Sequence, residues 1–194
     1  MKKLVYILSI MLLVGCKAFD ASFLQSGEFA LSNKLPAMEK EIENNYMFVV
    51  SQSGRPLGPS HQDISVLFDK ELSEKITNPY TDKKGIMVLK VNTVEHKSNP
   101  GIALFIPIVG VLTGLPTQVS KSNIEVQIDV LNQNRKLIGR YNGYSNKKMR
   151  SSIYKNAYAD PSRVVYLQCV KEAIQQAKKI MEADAERLKQ ELNG

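Results

Sequence analysis

Apolar and polar residues alternate most cleanly over Ile124–Val130. Ile124, Val126, Ile128 and Val130 are separated there by Glu125, Gln127 and Asp129. A period of two predicts a strand with the first set in a core and the second facing water. Asn132-Gln133-Asn134-Arg135 is turn chemistry, so Lys136–Tyr144 reads as the returning strand of a hairpin. Gly139 and Gly143 within it mark a bulge or a close backbone approach. Upstream, Ile86–Val94 alternates Met87, Leu89 and Val91 with Val88, Lys90 and Asn92, which predicts another strand. Tyr46–Val50 is a short apolar run closed by Ser53-Gly54 and reads as a buried strand.

Helical spacing appears twice. Ile64, Leu67, Phe68, Leu72 and Ile76 share one face of a helix over about 61–77. Ser60 is placed as its N-cap, Asp63 as the acidic residue of a capping box, and Asn78-Pro79 as its stop. Asp160-Pro161 opens a second, longer helix. Its stripe runs through Tyr166, Val170, Ala173, Ile174, Ala177, Ile180 and Met181. Beyond Ala183 only Leu188 and Leu192 continue it, so the tail is expected to project past the domain or to find a partner helix. Pro36–Asn45 reads as a short polar helix, and Lys17–Leu35 as a tether.

The element order is therefore β-α-β-β-β-α. It predicts an α/β (α+β) fold: a small mixed sheet of about four strands, covered on one face by helices. The first two strands are expected to be parallel across a right-handed connection, with an antiparallel meander after them.

The N-terminus has a different pattern. Lys2 and Lys3 precede an apolar run from Leu4 to Val14 that is too short to span a bilayer. The run ends in Leu13-Val14-Gly15-Cys16, which resembles the lipobox of bacterial lipoproteins. The resemblance covers the leader alone. It implies a signal peptide over 1–15, a diacylglycerol on the Cys16 sulfur, and acylation of the new amino group. Each buried methylene contributes about 0.8 kcal/mol, so two or three acyl chains anchor a protein stably. Lys17, rather than an acidic residue, follows the cysteine, and in this class that favours an outer-membrane address facing the periplasm. The division expected is leader 1–15, lipidated tether 16–45 and one α/β domain 46–194 with a long C-terminal helix. The element order is also similar to that of small α/β accessory lipoproteins of Gram-negative envelopes, such as the domain type shared by the TolB N-terminus, curli-assembly and lipopolysaccharide-assembly lipoproteins. No diagnostic motif accompanies that similarity.

Composition narrows the function. The 194-residue chain has 26 Lys and Arg against 19 Asp and Glu, a formal net charge of +7. Moderate basicity suits an anionic membrane or glycan, and an exported chain without nucleic-acid-binding motifs is not expected to bind nucleic acid. Of the two cysteines, Cys16 is taken by lipid, and Cys169 sits among Val165, Leu167, Val170 and Ala173 as a buried apolar residue.

Two stretches are candidate contact surfaces. Gly101–Pro116 is the most hydrophobic part of the mature chain, and it falls within a long connection, Glu95–Lys121. Pro107 and Pro116 exclude a continuous helix. Either the flanking strands run longer and this stretch is core, or Leu104, Phe105, Ile106, Ile108 and Val111 meet a protein partner or the membrane. The second candidate is the basic series after the hairpin. Arg140, Lys147, Lys148 and Arg150, interleaved with tyrosines, are either solvated or an anion surface.

Catalytic motifs are missing: no GxSxG, HExxH, phosphate-binding Gly loop or CxxC occurs. His61 and His96 stand apart from any sequence neighbour that completes a constellation. Asp69, Glu71, Glu74 and Asp82 read as solvated acids. The expectation is a non-enzymatic, lipid-anchored outer-membrane protein, without metal or cofactor, that serves as an accessory or binding component of an envelope assembly or transport complex. A protein partner is expected in the envelope, beside the membrane contact through Cys16. The alternative is an envelope hydrolase of cell-wall glycan or ester substrates, because carboxylate pairs carry no sequence signature.

Overall fold

The computed structural model describes residues 29–45, 49–50, 56–57, 61–101, 114–152 and 160–194. Its strands are β1 (Glu39–Asn45), β2 (Val49–Val50), β3 (Pro56–Leu57), β4 (Gly85–Pro100), β5 (Gln118–Asn132) and β6 (Leu137–Ser151). Its α-helices are α1 (His61–Lys70), α2 (Pro161–Glu182) and α3 (Ala185–Asn193), and α1 runs on as a π-helical turn over Glu71–Ile76. One mixed sheet has the order β1-β4-β5-β6, and β2 and β3 pair as a separate ribbon. β1 is parallel to β4 across the connection that contains α1, and β4, β5 and β6 form an antiparallel meander. This is the expected α/β fold, with a mixed four-stranded sheet and helices on one face.

The first strand differs from expectation. Of the expected Tyr46–Val50 strand, Val49 and Val50 pair with Leu57 and Pro56 in the small ribbon, and residues 46–48 lie outside the described residues. The edge strand is Glu39–Asn45, within the stretch expected as a polar helix, and Glu39 to Asn45 pair in register with Ile86 to Asn92. Three glutamates in seven residues masked it from a hydrophobic reading. They face away from the helices, while Lys40 on the inner side reaches Ser65 and Asp69 of α1. The expected tether is likewise too long. Leu31, Leu35 and Met38 belong to the core, and the amides of Leu31 and Leu35 donate to the carbonyls of Lys75 and Ile76.

The meander strands also run further than their apolar alternation. Glu95 through Pro100 pair with Asn123 through Gln118, so much of the expected connection is sheet. A bulge at Val94 explains the missed length. Thr93 pairs with Ile124 and Glu95 with Asn123, so the extra residue reverses the parity of β4. Before the bulge Met87, Leu89 and Val91 point inward; after it His96 and Ser98 do. The inner positions opposite are Ser120 and Ser122, and Ser145 continues the inner face on β6. This half of the sheet therefore has a polar interior that no hydrophobic pattern reveals.

Both readings of the β6 glycines are realised. Val130 pairs with Gly139 and Leu131 with Leu137, leaving Ile138 as a bulge residue. At Gly143 the backbone of α2 comes close: a Cβ there would lie 1.8 Å from the Ala173 carbonyl oxygen. The α2 stripe packs through Tyr166, Val170, Ala173, Ile174, Ala177 and Met181, whereas Ile180 stays 55 % exposed. Asp160 caps the helix by accepting from the Arg163 amide. The tail does not project. The chain turns at Asp184, and α3 lays Leu188 and Leu192 back on the domain beside Gly139 and Gly85.

Candidate functional site

Cys16 and the apolar residues Leu104, Phe105, Ile106, Ile108 and Val111 lie outside the described residues, as does Ser60. The ends of the apolar stretch are placed: the Gly101 amide donates to Thr117 O, and the Thr117 amide to Ser151 O, at the far end of the meander. No helix among the described residues is long and apolar enough to cross a membrane.

Among the described residues His96, Cys169, Ser122, Ser162 and Glu71 are sealed inside. His96 is 8 % exposed, with Nδ1 2.7 Å from Ser122 Oγ and Nε2 2.8 Å from Ser162 Oγ. Its ring meets Tyr166 edge-on at 5.3 Å, and the Tyr166 hydroxyl lies 2.8 Å from Thr93 Oγ1. Burial lowers the His96 pKa, with Asp160 partly opposing it. The sequence left His96 without partners; the fold supplies two hydroxyls from β5 and α2. Cys169 approaches the same place and donates to the Ser122 carbonyl at 3.4 Å. Burial raises its pKa. Ser122 and Cys169 are fully buried and Ser162 is 1 % exposed, so these groups join sheet to helix inside the domain. Glu71, expected to be solvated, is also fully buried. It accepts from Lys178, which is equally buried and donates as well to Phe29 O at 2.6 Å. Asp63 takes a bidentate contact from Arg163, tying the start of α1 to the start of α2. Among the described residues no group of three or more His, Cys, Asp or Glu is placed to hold a metal ion.

The surface left over is the outer face of the sheet, and strand pairing sorts it into rows. From the β5–β6 turn outward, Asp129 pairs with Val88 and Arg140, Gln127 with Lys90 and Asn142, and Glu125 with Asn92 and Tyr144. Beyond the bulge, Asn123 pairs with Glu95 and Asn146, and Lys121 with Lys97 and Lys148. The last row is Asn99, Val119 and Arg150. A shallow concavity of about 670 Å³ crosses the middle rows, lined by Asn92, Glu125, Gln127, Asn142 and Tyr144. Gln176 closes it at the β6 edge, where its Oε1 accepts from the Tyr144 amide at 3.1 Å.

The near rows are neutralised internally. Asp129, expected to face water, is 3 % exposed beneath its partners. Arg140 donates to it through Nε at 2.8 Å and Nη2 at 3.3 Å, Gln127 at 3.0 Å, and Lys90 stands at 3.5 Å. Burial opposes its charge, yet Arg140 and Gln127 hold its pKa below the ordinary carboxylate value. Lys90 also meets Glu43 on β1 at 3.0 Å, and that contact raises its pKa.

The four expected anion-surface residues do not form one site. Period-two geometry puts Arg140, Lys148 and Arg150 on the outer face, with Arg140 committed to Asp129. Eight residues of strand separate Arg140 from Lys148, about 27 Å. Lys147 faces the helices and pairs with Glu172 of α2. Two lysines that the sequence reading passed over, Lys97 and Lys121, stand beside Lys148 instead. Their signal was the strand register, which the bulge at Val94 concealed. No protein-family model matches the chain, and no curated protein matches it either.

Proposed function

We propose that the protein is a lipid-anchored, non-catalytic binding component of a bacterial envelope, held at the outer membrane through Cys16, with the outer face of its sheet as the working surface. The observation that carries the binding reading is the division of the molecule. The helices seal one face of the sheet together with its His, Cys and Ser groups, whereas on the other face the rows beyond the buried Val88 and Asp129 are polar and largely open to solvent. The Leu13-Val14-Gly15-Cys16 leader supports the address. Between Cys16 and Phe29 the chain can extend about 45 Å at most, so the domain works close to its membrane.

Cell fractionation tests this. The wild-type chain should stay with membranes through high-salt and carbonate washes, and Cys16→Ser should accumulate as precursor or be released. Retention of Cys16→Ser after both washes refutes the anchor. Turnover of cell-wall glycan or ester substrates by the purified protein refutes the binding role.

A further inference from the structure

The outer face changes character at the Val94 bulge. On the near side, cations and anions are matched: Lys90 with Glu43 and Asp129, Arg140 with Asp129, Arg135 with Glu41. On the far side three lysines occupy one cross-strand row, Lys97 on β4, Lys121 on β5 and Lys148 on β6. Neighbouring strands are about 4.8 Å apart, so these are directly opposed like charges, an arrangement that destabilises a sheet. Among the described residues Glu95 offsets part of this row, meeting Lys97 at 3.0 Å and Lys121 at 2.6 Å, while Lys148 stands outside those pairs. Its own pKa is lowered, most by the Lys121 contact and then by Lys97. Arg150 lies in the next row on the same face. A folded chain that neutralises its near rows and leaves this row in surplus is arranged for an external anion.

We propose that the Lys97–Lys121–Lys148 row is an electrostatic docking site for the phosphate groups of an anionic lipid surface. The proposal rests on the membrane-anchored reading above, because the anchor supplies the occupant. Phe29, the first described residue, lines a cavity with Lys147 and Glu172 on the helix side of the meander. A tether of at most about 45 Å from Cys16 keeps the domain within reach of the membrane and is long enough for either face of the sheet to turn toward it. The three ammonium groups stand on one face of a continuous three-stranded ladder, so a planar array of phosphates meets all of them at once. Each basic residue near such a surface strengthens binding about fivefold.

The test uses the mature chain from residue 16 carrying Cys16→Ser, so that no acyl chain contributes. Sedimentation with phosphatidylcholine vesicles, with and without phosphatidylglycerol, should show binding to the anionic vesicles only, falling as salt rises. The triple variant Lys97→Gln/Lys121→Gln/Lys148→Gln should bind about a hundredfold more weakly. A control with the same charge change elsewhere, Lys34→Gln/Lys83→Gln/Lys189→Gln, should bind like the parent. Lys148→Glu keeps both Glu95 ion pairs and sets an anion opposite Lys121. It should lower vesicle affinity about twentyfold while keeping or raising the melting temperature.

Equal losses in the triple variant and its control overturn the proposal, as does failure of the parent to bind anionic vesicles. Crosslinking from position 148 to an acidic envelope protein, without vesicle binding, overturns it in favour of that partner. In both cases release of Cys16→Ser from cell membranes still upholds the anchored reading. Vesicle binding together with persistent membrane retention of Cys16→Ser upholds the docking row and refutes the anchor.

Discussion

Replacing Lys178 by Met should be among the most damaging single changes in the domain. Lys178 and Glu71 are both fully buried, and the ammonium bridges the Glu71 carboxylate and the Phe29 carbonyl. The Glu71 side keeps a long contact at 3.5 Å from Gln175 Nε2. Burial pulls the Lys178 pKa down, and the bond to Glu71 pushes it back up. Removing one partner of such a pair takes the opposing charge away from a buried group, which costs about 3–5 kcal/mol. A domain is stable by about 5–15 kcal/mol in total, so this is a large share. At about 2–4 °C per kcal/mol for a chain of this size, the melting temperature should fall by about 6–20 °C. The double variant Glu71→Leu/Lys178→Met removes both charges, and it should recover most of the loss or exceed the parent by about 1–4 kcal/mol. Thermal and urea unfolding followed by circular dichroism would read both. A Lys178→Met cost below about 1 kcal/mol refutes the burial argument. A double variant as unstable as the single one shows that the loss comes from packing and not from the stranded charge.

Two further outcomes are expected. Gly143→Ala places a methyl group against the Ala173 carbonyl and near the Ala177 amide, both backbone atoms of α2, so the helix must shift at a cost of about 1–3 kcal/mol; an unchanged melting temperature would refute the close approach. The folded-state pKa of His96 lies below its ordinary 6.5, so the unfolded chain takes up the proton first on acidification. Its contribution is complete above pH 6.5 and is lost as pH falls through the folded value. His96→Gln should therefore narrow the difference in melting temperature between neutral and acid solution, and an unnarrowed difference would refute the assignment.

The sequence by itself determined the apolar half of the fold. Ile124–Val130 alternates over a one-sided core, and the α2 stripe repeats at helical spacing, so each element was legible from local periodicity alone. Asp160-Pro161 marked the start of α2 for the same reason: a cap is chemistry between near neighbours. What only the tertiary structure decided involves partners distant in sequence. β1 exists as a strand because β4 offers it hydrogen bonds, although its own residues are largely charged or polar. Glu71 is buried because Lys178, 107 residues later, comes to meet it. His96, Ser122 and Ser162 converge from two strands and a helix, and their polar inner face breaks the hydrophobic pattern that would have announced it. The lysine row belongs to this second kind. Lys97, Lys121 and Lys148 are unremarked singly, and one extra residue at Val94 sets the parity that places all three on the same side of the sheet.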